Sequence, residues 1–207
     1  MRGHSLNTFF KTHDFKDVQV GGYPIPPEWW SRVYEYPWAI RYAGVSMVVA
    51  DMGCGYEQRP FKDALASICK KVYAVDQHWE VQRLAPHGNM EFVVADFTRP
   101  IESIPAGSLD RVFCLSVLEE LGERIPQALA EFHRCLKPGG LCVLTCDVQY
   151  DLDQPTPICG GVDIEYLDQA IELSEFSVKG GLDYDKTGAV VGEPYNLCVL
   201  HMVLVKP

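Results

Sequence analysis

Five short apolar runs, each followed by a stretch with a different period, constrain this chain more than any other feature. They fall at residues 45–51, 72–76, 92–96, 111–116 and 141–146. None alternates apolar and polar residues as a strand with one wet face would. Between the first two runs, Phe61, Ala64, Leu65, Ile68 and Cys69 recur at helical spacing, and Ile125, Ala128, Leu129, Phe132 and Leu136 do so before the fifth. A shorter helix is expected over 78–85, stopped by Pro86 and Gly88. Lys137-Pro138-Gly139-Gly140 is a strong stop before the fifth run. Strands apolar on both faces, separated by helices, imply a parallel sheet covered on both sides, and right-handed crossovers wind it in two directions.

After the fifth run the pattern changes. A Pro/Gly-rich loop at 149–161 leads to a helix with Ile164, Leu167, Ala170 and Ile171 on one side. Two last strands follow at 176–179 and 197–205, and the irregular stretch between them, 180–196, has the length of a functional loop. The expected fold is therefore α/β, with a doubly wound, mostly parallel seven-stranded sheet. Residues 1–43 read as an N-terminal helical appendage and 44–207 as one globular α/β unit. Pro26 and Pro27 suit the start of a helix from Glu28, and Pro37 the start of a second over 38–42. Trp29, Trp30 and Trp38 either pack this layer onto the sheet or wall a lid over a site.

Composition narrows the function. A formal net charge of −10 argues against the basic surface that a nucleic-acid modifier needs. No apolar run has the length of a membrane span, and Met1 to Asp17 contain no stretch resembling a signal peptide. Cys69, Cys114, Cys142 and Cys198 sit within apolar runs, as buried thiols of a reducing, cytoplasmic protein do. Cys142 and Cys146 would stand roughly 13 Å apart along a strand at about 3.3 Å per residue, too far to share a metal. No metal is expected.

The chemistry concentrates where the runs end. The first closes in Asp51-Met52-Gly53-Cys54-Gly55. Glycines serve where backbone approaches a ligand or takes positive φ, and a turn at a helix N-terminus offers free N–H groups. The third glycine of a dinucleotide fingerprint is missing, since Gln58 stands there. Asp51 also suits an amino cation better than a pyrophosphate. The second run closes in Asp76, 25 positions after Asp51, near the spacing of a ribose-binding acid. The third closes in Asp96 followed by Phe97. Three acids at the carboxyl ends of successive strands would line the rim where open α/β sheets bind ligands.

In these residues the sequence resembles the class I S-adenosylmethionine (SAM) dependent methyltransferases, of the type-11 small-molecule kind. Asp51, Gly53, Cys54 and Gly55 match the first motif, with Glu57 at its last glycine. The match runs through Asp76, Asp96-Phe97, 109–121 and Leu136-Lys137-Pro138-Gly139-Gly140, about residues 45 to 147. The resemblance implies that SAM is the cofactor. Asp76, beside Gln77, would hold the ribose hydroxyls; Asp96 would take the adenine amino group, with Phe97 against the ring; and Ser116 would close the fourth strand over the cofactor. Tyr36 is a candidate for the methionine end. The family also places residues near the transferred methyl after strand four, so Glu119 and Glu120 are the candidate catalytic groups, with a helix-capping role as their alternative. The activity implied is methyl transfer to oxygen or nitrogen of a small molecule such as a sugar or secondary metabolite. The rival is a SAM-binding regulatory or partner protein without activity. Neither nucleic acid nor membrane is expected as a partner.

Overall fold

The computed structural model describes residues 7–56, 60–84, 88–153 and 161–207. Glu57 and Gln58, Pro86 and most of the loop after the fifth apolar run lie outside them. In chain order the elements are β1 (Thr8–Phe9), β2 (Gln19–Val20), β3 (Tyr23–Pro24), α1 (Arg32–Ala39), β4 (Val48–Met52), α2 (Pro60–Ile68), β5 (Lys71–Asp76) and β6 (Met90–Val94). They continue with β7 (Leu109–Leu115), α3 (Ile125–Cys135), β8 (Leu136–Gln149), α4 (Ile164–Leu173), β9 (Ser177–Val178), β10 (Val191–Gly192) and β11 (Leu197–Val205).

Among the described residues, seven strands follow one another across the main sheet in the order β1-β11-β8-β7-β4-β5-β6, and β9 and β10 add to β11. From β6 to β8 every pairing is parallel, and β11 runs antiparallel to β8. The doubly wound sheet read from the five apolar runs is therefore present. Its central strands lack polar alternation because both faces are covered. Ala50, Met52, Val112 and Leu144 pack with Ile125, Leu129 and Phe132 of α3 and Leu167 and Ile171 of α4. Val49, Phe113 and Val143 face the other way, toward Tyr34 and Trp38 of α1 and Phe61 and Leu65 of α2. Full burial of one such side chain is worth about 1.5–3 kcal/mol.

Three local readings change. Pro37 does not start a helix but lies inside α1, which begins at Arg32. Proline cannot bond to the carbonyl four residues back. Here that carbonyl, on Val33, accepts instead from the Asp17 N–H at 2.9 Å, so the break in the helical ladder ties down the segment that leads into β2. The turn expected at residues 137–140 is an excursion within β8. Leu136 sits opposite Leu109 and Leu141 opposite Arg111, with the intervening residues looped out against Lys206. Finally, the helix expected over 78–85 is a 3-10 turn, Trp79–Arg83. The N-terminal layer thus contributes one α-helix, the hairpin β2–β3 and, in β1, two residues of the main sheet.

The far edge of β11 is finished piecewise. β10 pairs at Leu197 and Cys198, β1 at Leu200 and His201, and β9 at Leu204 and Val205. The Asn7 side-chain oxygen accepts from the Val203 N–H at 2.6 Å between two of these fragments. Among the described residues no helix is long and apolar enough to cross a membrane.

Candidate active site

The chain leaves β4 outward to β5 and β6, then returns to the other side of β4 as β7. That reversal opens a crevice at the carboxyl ends of β4 and β7, where open α/β sheets hold ligands. β4 ends at Met52, and Gly53 and Gly55 take φ of +81° and +66°. The Gly53 and Cys54 N–H groups donate to the Val75 carbonyl at 2.8 and 3.0 Å, which folds the turn back on β5. From across the crevice Val117 closes on Gly53 so tightly that a Cβ there would lie 2.5 Å from its Cγ2. Gly53→Ala is therefore expected to cost about 1–3 kcal/mol of stability by overpacking, on top of the strained φ. Chemical unfolding would measure it, and an unchanged midpoint would contradict the tight approach.

A cleft of about 670 Å³ lies over this turn, inside the range of roughly 300–1,000 Å³ usual for small-molecule sites. Of the residues singled out in the sequence, Tyr36, Gly53, Cys54, Gly55, Asp76, Gln77, Asp96, Phe97, Ser116 and Glu120 line it. Asp51 lines a small recess beside it, which shares Tyr36, Gly53, Cys54 and Leu115 with the cleft. Glu119 lies behind the wall, with Oε2 buried and unpartnered, whereas Glu120 is exposed.

The three strand-end acids differ in environment. Asp51 is buried, and desolvation, with Asp76 adding to it, pushes its carboxyl up to about 7 against the pull of Lys62 and Arg32. Asp76 accepts from the Gly55 and His78 N–H groups, both at 2.9 Å, and so ties the glycine turn to the end of β5. Asp96 is held below the usual carboxylate range, chiefly by the Thr98 hydroxyl and N–H, with Arg124 3.5 Å away.

Several residues of the site were not singled out by the sequence. Lys62, in the first turn of α2, is buried and its ammonium donates to the carbonyls of Cys54, at 2.7 Å, and Gly55. A buried charge needs such partners, and this one braces the glycine turn from below. Glu35 of α1 is fully buried. It bonds Arg32 at 2.6 Å, the Ser116 hydroxyl at 2.8 Å and the Thr145 hydroxyl. Burial alone would raise its carboxyl, but Arg32 and the hydroxyls of Ser31, Thr145 and Ser116 outweigh that and hold it low. Ser116 itself sits at φ +49°, a strained position for a non-glycine residue. Asp147 of β8 also lines the cleft, as do Glu28 and Arg32 from the N-terminal layer; Trp29, Trp30 and Tyr195, which the sequence did offer as site aromatics, line it too.

Comparison with known proteins agrees with this geometry. A family model described as a methyltransferase domain matches residues 50–144. No curated protein matches the sequence. Among solved structures, the [4+2]-cyclase SpnF superposes with a TM-score of 0.67 at 14% identity, covering 96% of this chain and 87% of its own. A SAM-dependent methyltransferase from Aquifex aeolicus gives 0.59 at 19% identity, over 84% and 93% of the two chains. The N-methyltransferase NodS from Bradyrhizobium japonicum, in complex with S-adenosyl-L-homocysteine, gives 0.56 at 16% identity over 82% of each. At these identities the likeness to the solved structures is one of fold, while the family model speaks to the sequence itself. Residues 50–144 thus match a methyltransferase domain, and the sheet that carries them shares its fold with solved SAM-dependent methyltransferases.

Proposed function

We propose that the cleft holds SAM along the rim of β4, β5 and β6 and that the chain methylates an oxygen or nitrogen of a small-molecule acceptor seated beside it. The observation that carries this reading is the convergence of Asp51, the Gly53–Gly55 turn, Asp76 and Asp96 on one cleft and its recess. Their chemistry fits the cofactor in sequence. A buried carboxylate at Asp51 suits an amino cation, Asp76 a vicinal diol and Asp96 an exocyclic amine, each through charge-assisted hydrogen bonds. Gln77 and Phe97 flank the last two, with Cys54, Tyr36 and Ser116 around the first. When bound, the cofactor supplies a methyl carbon already activated by a sulfonium.

The protein's own contribution is alignment and exclusion of water. Residues 1–43 act in this reading as a lid. Trp29 and Trp30 face the cleft, and Glu35 anchors α1 to the ends of β7 and β8. Glu119 and Glu120 are the groups after β7 available to take a proton from an acceptor. The acidic surface and the cysteines, all free among the described residues, suit a cytoplasmic enzyme acting on a small molecule.

Calorimetry with SAM, its demethylated product and NADH tests the cofactor placement. Asp76→Ala is expected to weaken SAM binding at least tenfold, because two charge-assisted bonds to the ribose are lost. Unchanged affinity would reject that role. Release of S-adenosyl-L-homocysteine in the presence of small acceptors tests transfer. A protein that binds SAM but never turns it over would be the non-catalytic partner instead.

A further inference from the structure

Resting on the small-acceptor reading above, we infer that the acceptor is a basic amine, received by Asp147 with Glu119 behind it. The inference comes from what the cleft has left once the cofactor's partners are set aside. Among the described residues its lining carries two arginines, Arg32 and Arg124, and no lysine. Both are engaged, Arg32 with Glu35 at 2.6 Å and Arg124 with Asp96 at 3.5 Å. Three carboxylates in the lining, Glu28, Glu120 and Asp147, have no cofactor role in this reading. An acceptor carrying a carboxylate or phosphate would meet uncompensated negative charge. An ammonium group would meet the charge it needs.

Asp147 is the best placed of the three. It lies on β8 two residues beyond Thr145, which pairs with Leu115 at the end of β7, so it stands beside the Ser116–Val117 wall of the crevice. Its Oδ1 is buried and has no hydrogen-bond partner among the described residues, and the same holds for Oε2 of Glu119 in the 3-10 turn Leu118–Glu120 on the neighbouring segment. An unsatisfied buried carboxylate oxygen is costly. Two on adjacent segments, with Asp147 lining the cleft and Glu119 behind it, mark a place where a donor arrives from outside the chain.

Among the described residues the charged and titratable groups around Asp147 are Arg32 and Glu35 from α1, Glu119 and Glu120 from the turn after β7, Cys146 beside it on β8, and Cys198 from β11. Burial, then Asp147, push Glu119 well above the ordinary carboxyl range. Asp147 is raised, by burial and then by Glu35, to about 6, so it is the carboxylate of the two. An arriving R–NH3+ donates to Asp147 and passes it one proton. The freed nitrogen lone pair then forms the N–CH3 bond as the methyl–sulfur bond breaks. Sulfur keeps that electron pair as a neutral thioether, the product leaves as R–NH2+–CH3, and the proton on Asp147 returns to solvent.

The test uses the full chain and two matched probe series: the amines ethanolamine, putrescine and glucosamine, and the neutral ethylene glycol, 1,4-butanediol and glucose. Binding is read by calorimetry with S-adenosyl-L-homocysteine present, and transfer by methylated product. At least one amine should bind and react while its neutral counterpart does neither. Asp147→Asn should lower amine affinity at least tenfold and turnover about 100-fold, the scale of a lost general base, with SAM affinity unchanged. Asp147→Glu should recover part of both. Amine turnover should fall as pH drops through about 6, and that limb should vanish in Asp147→Asn. Reaction of the neutral series alone, or full amine binding by Asp147→Asn, overturns the amine assignment and leaves small-molecule transfer standing. If neither series binds or reacts although SAM binds, both readings fall together.

Discussion

Replacing Glu35 by alanine is expected to destabilise the protein by about 3–5 kcal/mol, the usual cost of removing one partner from a buried ion pair. The substitution would strand Arg32 without its counter-charge. It would also leave the Ser116 and Thr145 hydroxyls with no acceptor in a position closed to water. For a chain of this size each kcal/mol moves the melting temperature by roughly 2–4 °C, so a fall of about 6–20 °C should be visible in a thermal scan. The damage should reach the cleft, because Ser116 is held at φ +49° partly by its bond to this carboxylate. A variant that melts within about 2 °C of the parent would mean that α1 is not seated on the strand ends through this residue. Changing Arg32 and Glu35 together to apolar residues of similar size should recover much of the loss, since no buried charge then remains alone.

The second large effect concerns Asp51 and pH. Asp51→Asn is expected to weaken SAM binding about 10- to 150-fold, the value of a hydrogen bond to a charged group at roughly 1.5–3 kcal/mol. In the parent protein the affinity should depend on proton concentration. Desolvation raises the Asp51 carboxyl to about 7, so below that pH the free protein holds a proton there that the cofactor's ammonium must displace. Affinity should then fall by up to about tenfold per pH unit on the acid side of 7 and level off on the alkaline side. Stability of the ligand-free protein moves the opposite way. A carboxyl raised in the folded state favours folding below its unfolded value, and that contribution is lost as pH rises through about 7. SAM should thus stabilise the protein most where the free form is weakest. A pH-independent affinity, or one equal in Asp51→Asn, would contradict the pairing.

Much of this was legible in the sequence, for identifiable reasons. The five central strands could be read because both of their faces are buried, which writes near-continuous apolar runs. Asp51, Asp76 and Asp96 could be read because each closes such a run. The same rule points to Asp147, which directly follows the run ending at Cys146, and continuing the fifth strand by one residue would have found it. Lys62 and Glu35 were not legible. A charged residue on a helix is ordinarily a solvated one, and only the tertiary fold brings carbonyls under Lys62 and hydroxyls around Glu35. Pro37 misled because its helix-breaking cost is offset by a distant N–H on Asp17. The 137–140 stop was correctly sensed as an interruption, yet the strand resumes across it because Lys206 supplies the missing hydrogen bonds.

The piecewise border of β11 has a bearing on solubility. A nine-residue apolar strand at the margin of a sheet would ordinarily be a template on which a second molecule could stack, residue by residue. Here three dipeptide fragments, drawn from the start of the chain and from two separate loops near its end, share that margin between them, and Asn7 fills a gap. No intruding strand can displace one without meeting the others. The arrangement works as a broken hem, guarding the molecule against self-association.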